Sequence, residues 1–181
     1  GIERMTISLA IDTSTSRTIV GIIDEQKVLF EKFHEGATDH GRALSQLVAE
    51  ALQVSAPPQQ VVVGMGPGPF TGLRVGISFA HTFGLARTIP VIGVCSLDAI
   101  AIDQNEYTVA TDARRKEIYW ARYKDGVRIE GPSVNKPAEV DGFIIDHYPD
   151  MKKLVALSSS QSVTEPMYLR RPDAVPTAER P

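Results

Sequence analysis

The sequence predicts an α/β protein of two lobes, each organised around a mixed sheet. Three observations predict it. Strand-period segments follow one another at the start of the chain, helical and continuously apolar segments then alternate, and a second run of strand-period segments begins near residue 107. An antiparallel meander that continues into alternating helix and strand implies a mixed sheet with helices packed on it.

Residues 6–12 (Thr-Ile-Ser-Leu-Ala-Ile-Asp) alternate polar and apolar side chains, the period of a strand. A hydroxyl-rich turn, Thr13-Ser14-Thr15-Ser16-Arg17, leads to a second strand over 18–24, and Glu25-Gln26 turn the chain into a third over 28–34. The period then changes. From Asp39, a candidate N-cap, Ala43, Leu44, Leu47, Val48, Ala51 and Leu52 recur at helical spacing until Pro57-Pro58 end the helix. Val61 to Met65 is continuously apolar, as suits a strand buried on both faces. The turn Gly66-Pro67-Gly68-Pro69-Phe70-Thr71-Gly72 opens a second helix, roughly 71–87, which Thr88-Ile89-Pro90 break before a buried strand over 91–94. A short helix is expected over 97–102. Beyond the polar break at Gln104-Asn105, segments 107–112, 117–123 and 127–129 read as strands, so the first lobe's pattern restarts. It continues with a strand at 143–145, a short helix at 151–157 and a polar link at 158–162. The expected division is a first lobe over 5–104, a shortened second lobe over 105–165 and an extended tail over 166–181; Gly1-Ile2-Glu3-Arg4, ahead of Met5, read as a cloning remnant.

Composition narrows the function. Of 181 residues 43% are hydrophobic and 23% charged, the balance of a globular protein, and the net charge of -3 disfavours autonomous gripping of nucleic acid. No apolar run approaches the length that crosses a bilayer. Cys95, the single cysteine, lies in an apolar run that should raise its thiol pKa, which argues against a nucleophile; a cytoplasmic setting is expected. The four histidines form no metal-binding motif, and no nucleophile elbow appears. No catalytic residue and no metal site is therefore assigned.

Three segments carry candidate sites, each with a bland alternative. In Asp12-Thr13-Ser14-Thr15 the hydroxyls and amides can cradle a phosphate and the carboxylate can hold a metal through water; the alternative is a hydrogen-bonded turn without ligand. In the second helix Gly72, Gly76, Ala80 and Gly84 recur every four residues and form a ridge almost without side chains. Each helical glycine costs about 1 kcal/mol relative to alanine, so close approach of another element must compensate. That element is either this lobe's own sheet or helix, or a partner's helix. The cations Arg114, Arg115 and Lys116 sit at a strand-to-strand turn, as a candidate RNA contact or a solvated hairpin tip.

Together the motifs resemble the TsaB (YeaZ) family. The segments Ile7 to Thr15, Gly66 to Gly76, Ile89 to Leu97 and Asp112-Ala113-Arg114-Arg115-Lys116-Glu117-Ile118-Tyr119 follow it in order and spacing, as does Tyr168-Leu169-Arg170-Arg171-Pro172. The resemblance covers roughly residues 5–123 well. It implies the actin-like ATPase (ASKHA, ribonuclease H-like) fold, and a part in making N6-threonylcarbamoyladenosine (t6A) in tRNA. In that pathway TsaD performs the transfer, TsaB pairs with it and TsaE is an ATPase that joins them. Where TsaD-like proteins carry Asn-His-Met-Glu-Gly-His, this chain reads Cys95-Ser96-Leu97-Asp98-Ala99-Ile100, so the metal-binding histidines align with Ser96 and Ile100.

The resulting expectation is a non-catalytic subunit that pairs with and activates TsaD, with His40, Leu44, Leu47, Gly72, Leu73, Gly76, Ile77, Ala80, Phe83 and Gly84 at the contact. Gly76→Leu is expected to block pairing and leave the monomer folded. Alone, the chain is expected to form a homodimer. No intrinsic cofactor is expected, ATP or ADP binding only at a complex interface, and tRNA is met through the complex. The rivals are an independent metallopeptidase or nucleotide hydrolase, and a tRNA-binding module using Arg114, Arg115, Lys116, Arg170 and Arg171.

Overall fold

The computed structural model describes residues 6–169. Strands β1 (Ile7–Asp12), β2 (Arg17–Asp24) and β3 (Lys27–Glu35) form the expected antiparallel meander. Helix α1 (His40–Ala51) leads to β4 (Gln60–Gly64), helix α2 (Phe70–Arg87) to β5 (Val91–Val94), and both strands join parallel to the meander, giving the order β3-β2-β1-β4-β5. The period-two alternation of β1 divides the core. Leu9 and Ile11 face α1 and α2, while Ala10 faces the opposite side.

That opposite side is covered by α3 (Met151–Leu157), whose Met151, Leu154 and Val155 pack on Ala10, Ile19, Ile23 and Val62. The helix expected in the second lobe thus belongs to the first. Gly21 admits it, since a Cβ there would stand 2.7 Å from Met151 Cβ. After α3 the chain stays on the first lobe: Val163 N–H donates to Gly93 O (2.8 Å) and Met167 N–H to Met65 O (2.7 Å). The division at 105–165 therefore gives way to a second lobe that ends before α3. Of the tail, residues 166–169 form no strand: Tyr168 N–H turns back to Pro166 O (3.1 Å), and Met167 and Leu169 pack where the 3-10 turn meets the second sheet. Positions 1–4, together with Arg170, Arg171 and the rest of the tail, lie outside the described residues.

The second sheet consists of β6 (Glu106–Arg114), β7 (Glu117–Lys124), β8 (Val127–Asn135) and β9 (Phe143–Ile144), in the order β8-β7-β6-β9. β6 to β8 are antiparallel and β9 is parallel to β6, so this sheet is mixed as well. Two local expectations are corrected. Asp39 holds the N-cap position of α1 but its side chain caps nothing, because its carboxylate instead meets Arg42 Nη2 (3.3 Å) and His34 Nε2 (3.7 Å). The short helix over 97–102 is a single 3-10 turn, Ser96–Ala99, ended where Ile100 bridges Pro149.

Candidate functional site

The hydroxyls of the first turn are engaged locally. Asp12, at the end of β1, is fully buried, and its Oδ1 accepts Ser14 N–H (2.9 Å) and Ser14 Oγ–H (2.6 Å). Its Oδ2 has no hydrogen-bond partner and rests over Gly64, where any Cβ would overlap the carboxylate. Burial pushes the Asp12 carboxyl above the usual range, and the Ser14 and Ser96 hydroxyls offset only part of that. Thr15 Oγ1 accepts Arg17 N–H (3.1 Å). Thr13 donates to Gly72 O (2.6 Å) and accepts Gly76 N–H (3.0 Å), so it pins the first turns of α2 to the sheet. Each of these hydroxyls thus has a partner within the chain, while Thr13 and Thr15 also line the cleft described below.

The same bonds decide which way the glycine ridge faces. A Cβ at Gly76 would stand 2.6 Å from Thr13 Oγ1, one at Gly72 2.9 Å from the His40 ring, and one at Gly84 2.5 Å from Val91 Cγ2. The ridge packs on α1, the β1–β2 turn and β5 of its own lobe. His40, Leu44, Leu47, Leu73, Gly76, Ile77, Ala80, Phe83 and Gly84 are buried and Gly72 half-buried, so they do not form the expected partner surface. Nor can Gly76→Leu leave the lobe undisturbed, because the added side chain would displace Thr13.

What α2 leaves outward is its other face. Phe70, Thr71, Arg74, Val75, Ser78, Phe79 and Thr82 line an open, largely apolar groove of about 570 Å3, with Gly41 and the edge of Leu44 along the α1 side. Arg74 lies over the Phe70 ring (5.1 Å), which in turn packs on Tyr168 (4.8 Å). Of the groove residues only Leu44 is among the contact residues expected from the sequence. The available signal was the pair Val75 and Phe79, four apart on the flank of the ridge and half-buried against the same core.

A cleft of about 230 Å3 separates the lobes. Thr13, Thr15, Ser16, His40 and Gly72 line it from the first lobe; Thr111, Asp112, Arg114 and the segment 145–148 line it from the other side. His40 is buried, with Nδ1 2.8 Å from Thr18 Oγ1. Desolvation, and to a smaller extent the Arg114 charge, depresses its pKa and keeps the ring neutral. Thr111 Oγ1 is buried in the cleft wall without a hydrogen-bond partner. Tyr148 closes one end by stacking on Arg17 (3.8 Å), whose other face meets Phe33 (3.9 Å).

The β6–β7 turn divides the three cations. Arg114, Arg115 and Lys116 all adopt left-handed backbone (φ 62°, 54° and 61°), and Arg114 N–H is held by Asp112 Oδ1 at 2.8 Å. Arg114 lines the cleft opposite His40, whereas Arg115 and Lys116 are exposed at the tip. Cys95 is buried and its thiol is pushed up to about 12 by burial and by the Asp98 charge. Beside it, Ser96 Oγ accepts Gly66 N–H (3.0 Å) and Ile100 is buried with Tyr107 and Val109. Among the described residues no group of three or more His, Cys, Asp or Glu side chains is placed to hold a metal ion, and no helix is long and apolar enough to cross a membrane.

Comparison with known proteins places this architecture. The family model described as "TsaD: tRNA N6-adenosine threonylcarbamoyltransferase" matches residues 27–174. An uncharacterised protein of Mycobacterium leprae is 43% identical over 204 aligned positions, covering 95% of this chain and 57% of its own length. One of Mycobacterium tuberculosis is 41% identical over 199 positions, covering 94% of both chains. Both alignments are longer than the 181-residue chain, so these relatives carry residues without a counterpart here. The tRNA threonylcarbamoyladenosine biosynthesis protein TsaB of Escherichia coli is 33% identical over 126 positions, covering 64% of this chain and 54% of the relative; the chain thus matches about half of that protein's length. Among solved structures, YeaZ from Pseudomonas aeruginosa superposes with a TM-score of 0.72 at 21% identity, covering 85% of this chain and 91% of that one.

Proposed function

The chain belongs to the TsaB (YeaZ) family, within the group that the TsaD family model describes, and has the actin-like fold; from that premise we propose that it is a non-catalytic subunit of t6A synthesis that pairs with TsaD and activates it. The observation that carries the reading is the groove between α1 and α2, which the described residues leave open. The apolar residues on the first sheet's two faces are buried by α1 and α2 on one side and α3 on the other, while Val75 and Phe79 stay half-open beside Phe70. The partner is a relative of the same fold presenting its own helix pair, so that four helices pack across the groove. Alone, the same face pairs two copies of this chain.

Support for a non-catalytic role comes from the polar groups themselves. The Thr13, Ser14 and Thr15 hydroxyls are committed to the backbone or to Asp12, the Cys95 thiol is a poor nucleophile, and Ser96 and Ile100 serve packing. Nucleotide is held only where the partner completes a site; TsaE and tRNA are reached through the complex.

Ser78 is exposed in the middle of the groove, so Ser78→Arg places a charge there without touching the core. Titration calorimetry against TsaD is expected to show loss of binding with an unchanged melting temperature, and a reconstituted t6A assay is expected to lose the stimulation that the unaltered chain provides. Retained affinity would reject the groove as the contact. Turnover by the lone chain would reject the non-catalytic assignment.

A further inference from the structure

The chain leaves the first lobe through residues 95–105, and one carboxylate on that crossing gathers partners from β7, β8 and the segment after α3. Asp98, in the 3-10 turn after β5, is 7% exposed. Its Oδ1 accepts the Tyr123 hydroxyl from β7 at 2.5 Å and stands 3.3 Å from Arg128 Nε on β8. Its Oδ2 accepts Gln161 Nε2–H (2.7 Å) from the segment after α3, and Gln161 Oε1 accepts Cys95 N–H (3.0 Å). The donors come from the second sheet and from the segment after α3, so the carboxylate joins three parts of the chain that are far apart in sequence. The turn that carries Asp98 is itself anchored to α3, where Asp150 N–H donates to Ala99 O (2.8 Å) and the Lys153 side chain to Ile100 O (3.1 Å).

We propose that Asp98 locks the two lobes at one angle, so that the cleft keeps a fixed width and Arg114 stays opposite His40. A carboxylate taken out of water is strongly unfavourable unless it is paired and hydrogen-bonded. Here its partners sit on the body that would have to move. Any rotation of the second sheet against the first lobe would draw Tyr123 and Arg128 away and strand the charge in a low-dielectric pocket. Such networks add little net stability compared with apolar packing, and in some proteins they serve instead to fix one geometry. Tyr107, stacked on Tyr123 at 5.1 Å, holds the phenol in line with the carboxylate. The inference concerns the isolated chain and stands apart from any partner.

The test is a distance distribution between the lobes. Spin labels on cysteines introduced at Gln53 and Ala138, both exposed, report it by pulsed electron resonance in spin-diluted samples. Cys95 can stay, since it is buried with a weakly acidic thiol. The unaltered chain is expected to give a single narrow distribution, and Asp98→Asn a broadened or split one. Tyr123→Phe, which keeps the ring and its stack, is expected to broaden it as well, and it is the variant to read if Asp98→Asn does not fold. A purely structural role would lower the melting temperature and leave the distribution narrow. That outcome, or a broad distribution in the unaltered chain, would overturn the proposal.

Discussion

Gly76→Ala tests the direction of the ridge with a single methyl group. Elsewhere in an exposed helix this change stabilises by up to about 1 kcal/mol. At Gly76 the new Cβ would stand 2.6 Å from Thr13 Oγ1, 3.1 Å from Thr13 Cγ2 and 3.4 Å from Ile11 Cγ2. Thr13 cannot yield without giving up the bonds to Gly72 O and Gly76 N–H, both in the interior. Each lost bond costs about 1 kcal/mol net, and a buried group left unpaired costs roughly 1–3 kcal/mol. After the propensity gain, a net loss of about 2–4 kcal/mol is expected, a fall of roughly 5–15 °C in melting temperature for a domain of this size. Gly41→Ala is the control, because nothing lies within 4 Å of a Cβ there; its melting temperature is expected to hold or rise. Scanning calorimetry on the three proteins decides. A Gly76→Ala variant as stable as the parent would mean that Thr13 does not clamp α2, and the inward assignment of the ridge would fail with it.

Further expectations concern titration and reactivity. Asp12 has a folded-state pKa above its ordinary 3.8, so the folded chain binds this proton more tightly than the unfolded one. Its contribution is greatest below that pKa and declines as pH rises through the folded value. Asp12→Asn keeps an acceptor for Ser14 and removes the charge, so its melting temperature should exceed the parent's by a margin that widens with pH; a variant less stable than the parent at pH 8 would contradict this. His40 shifts the opposite way, its folded pKa lying below 6.5. The unfolded chain then takes up the proton first, and stability should be lost as pH falls below about 6.5. His40→Asn should flatten that slope in denaturation curves, and an unchanged slope would point to another group. Cys95 should resist alkylation by iodoacetamide at pH 8 in the folded chain and react on unfolding; prompt native-state labelling, read by mass spectrometry, would contradict its burial.

Much of the fold is legible in the residues because each signal is local. The continuous apolar run at 61–65 reports a strand covered on both sides, as β4 turns out to be, whereas the alternation across 6–12 hides that β1, with Ser8 and Asp12 buried, is covered on both sides as well. Placement of short elements is another matter. The spacing of Met151, Leu154 and Val155 declares an amphipathic turn or two, but the sheet that receives it is chosen by Gly21, 130 positions earlier, through the room it leaves for Met151. Likewise 97–102 has helical composition, yet Asp98 bonds to Tyr123, Arg128 and Gln161 and Ile100 pairs with Pro149, so the segment stops after one 3-10 turn.

The candidate surface shows why a period alone cannot orient a helix. Residues 72, 76, 80 and 84 define a stripe, and the stripe requires a close neighbour, but its spacing is the same whether that neighbour is the chain's own sheet or another molecule. The choice is made by one hydroxyl outside the helix. Thr13 can accept the Gly76 amide only if the ridge points inward, and a helix so pinned leaves Val75 and Phe79 on its flank, half-buried against the core and half open to the groove. The absence of side chains on the ridge is therefore what lets α2 sit deep enough for its flank and outer face to form a groove with α1. Filling the ridge would lift α2 from the sheet and spoil that groove from behind. Stability and partner binding should consequently fall together in ridge variants and separately in groove variants, so Gly76→Ala and Ser78→Arg, measured side by side, distinguish the two faces.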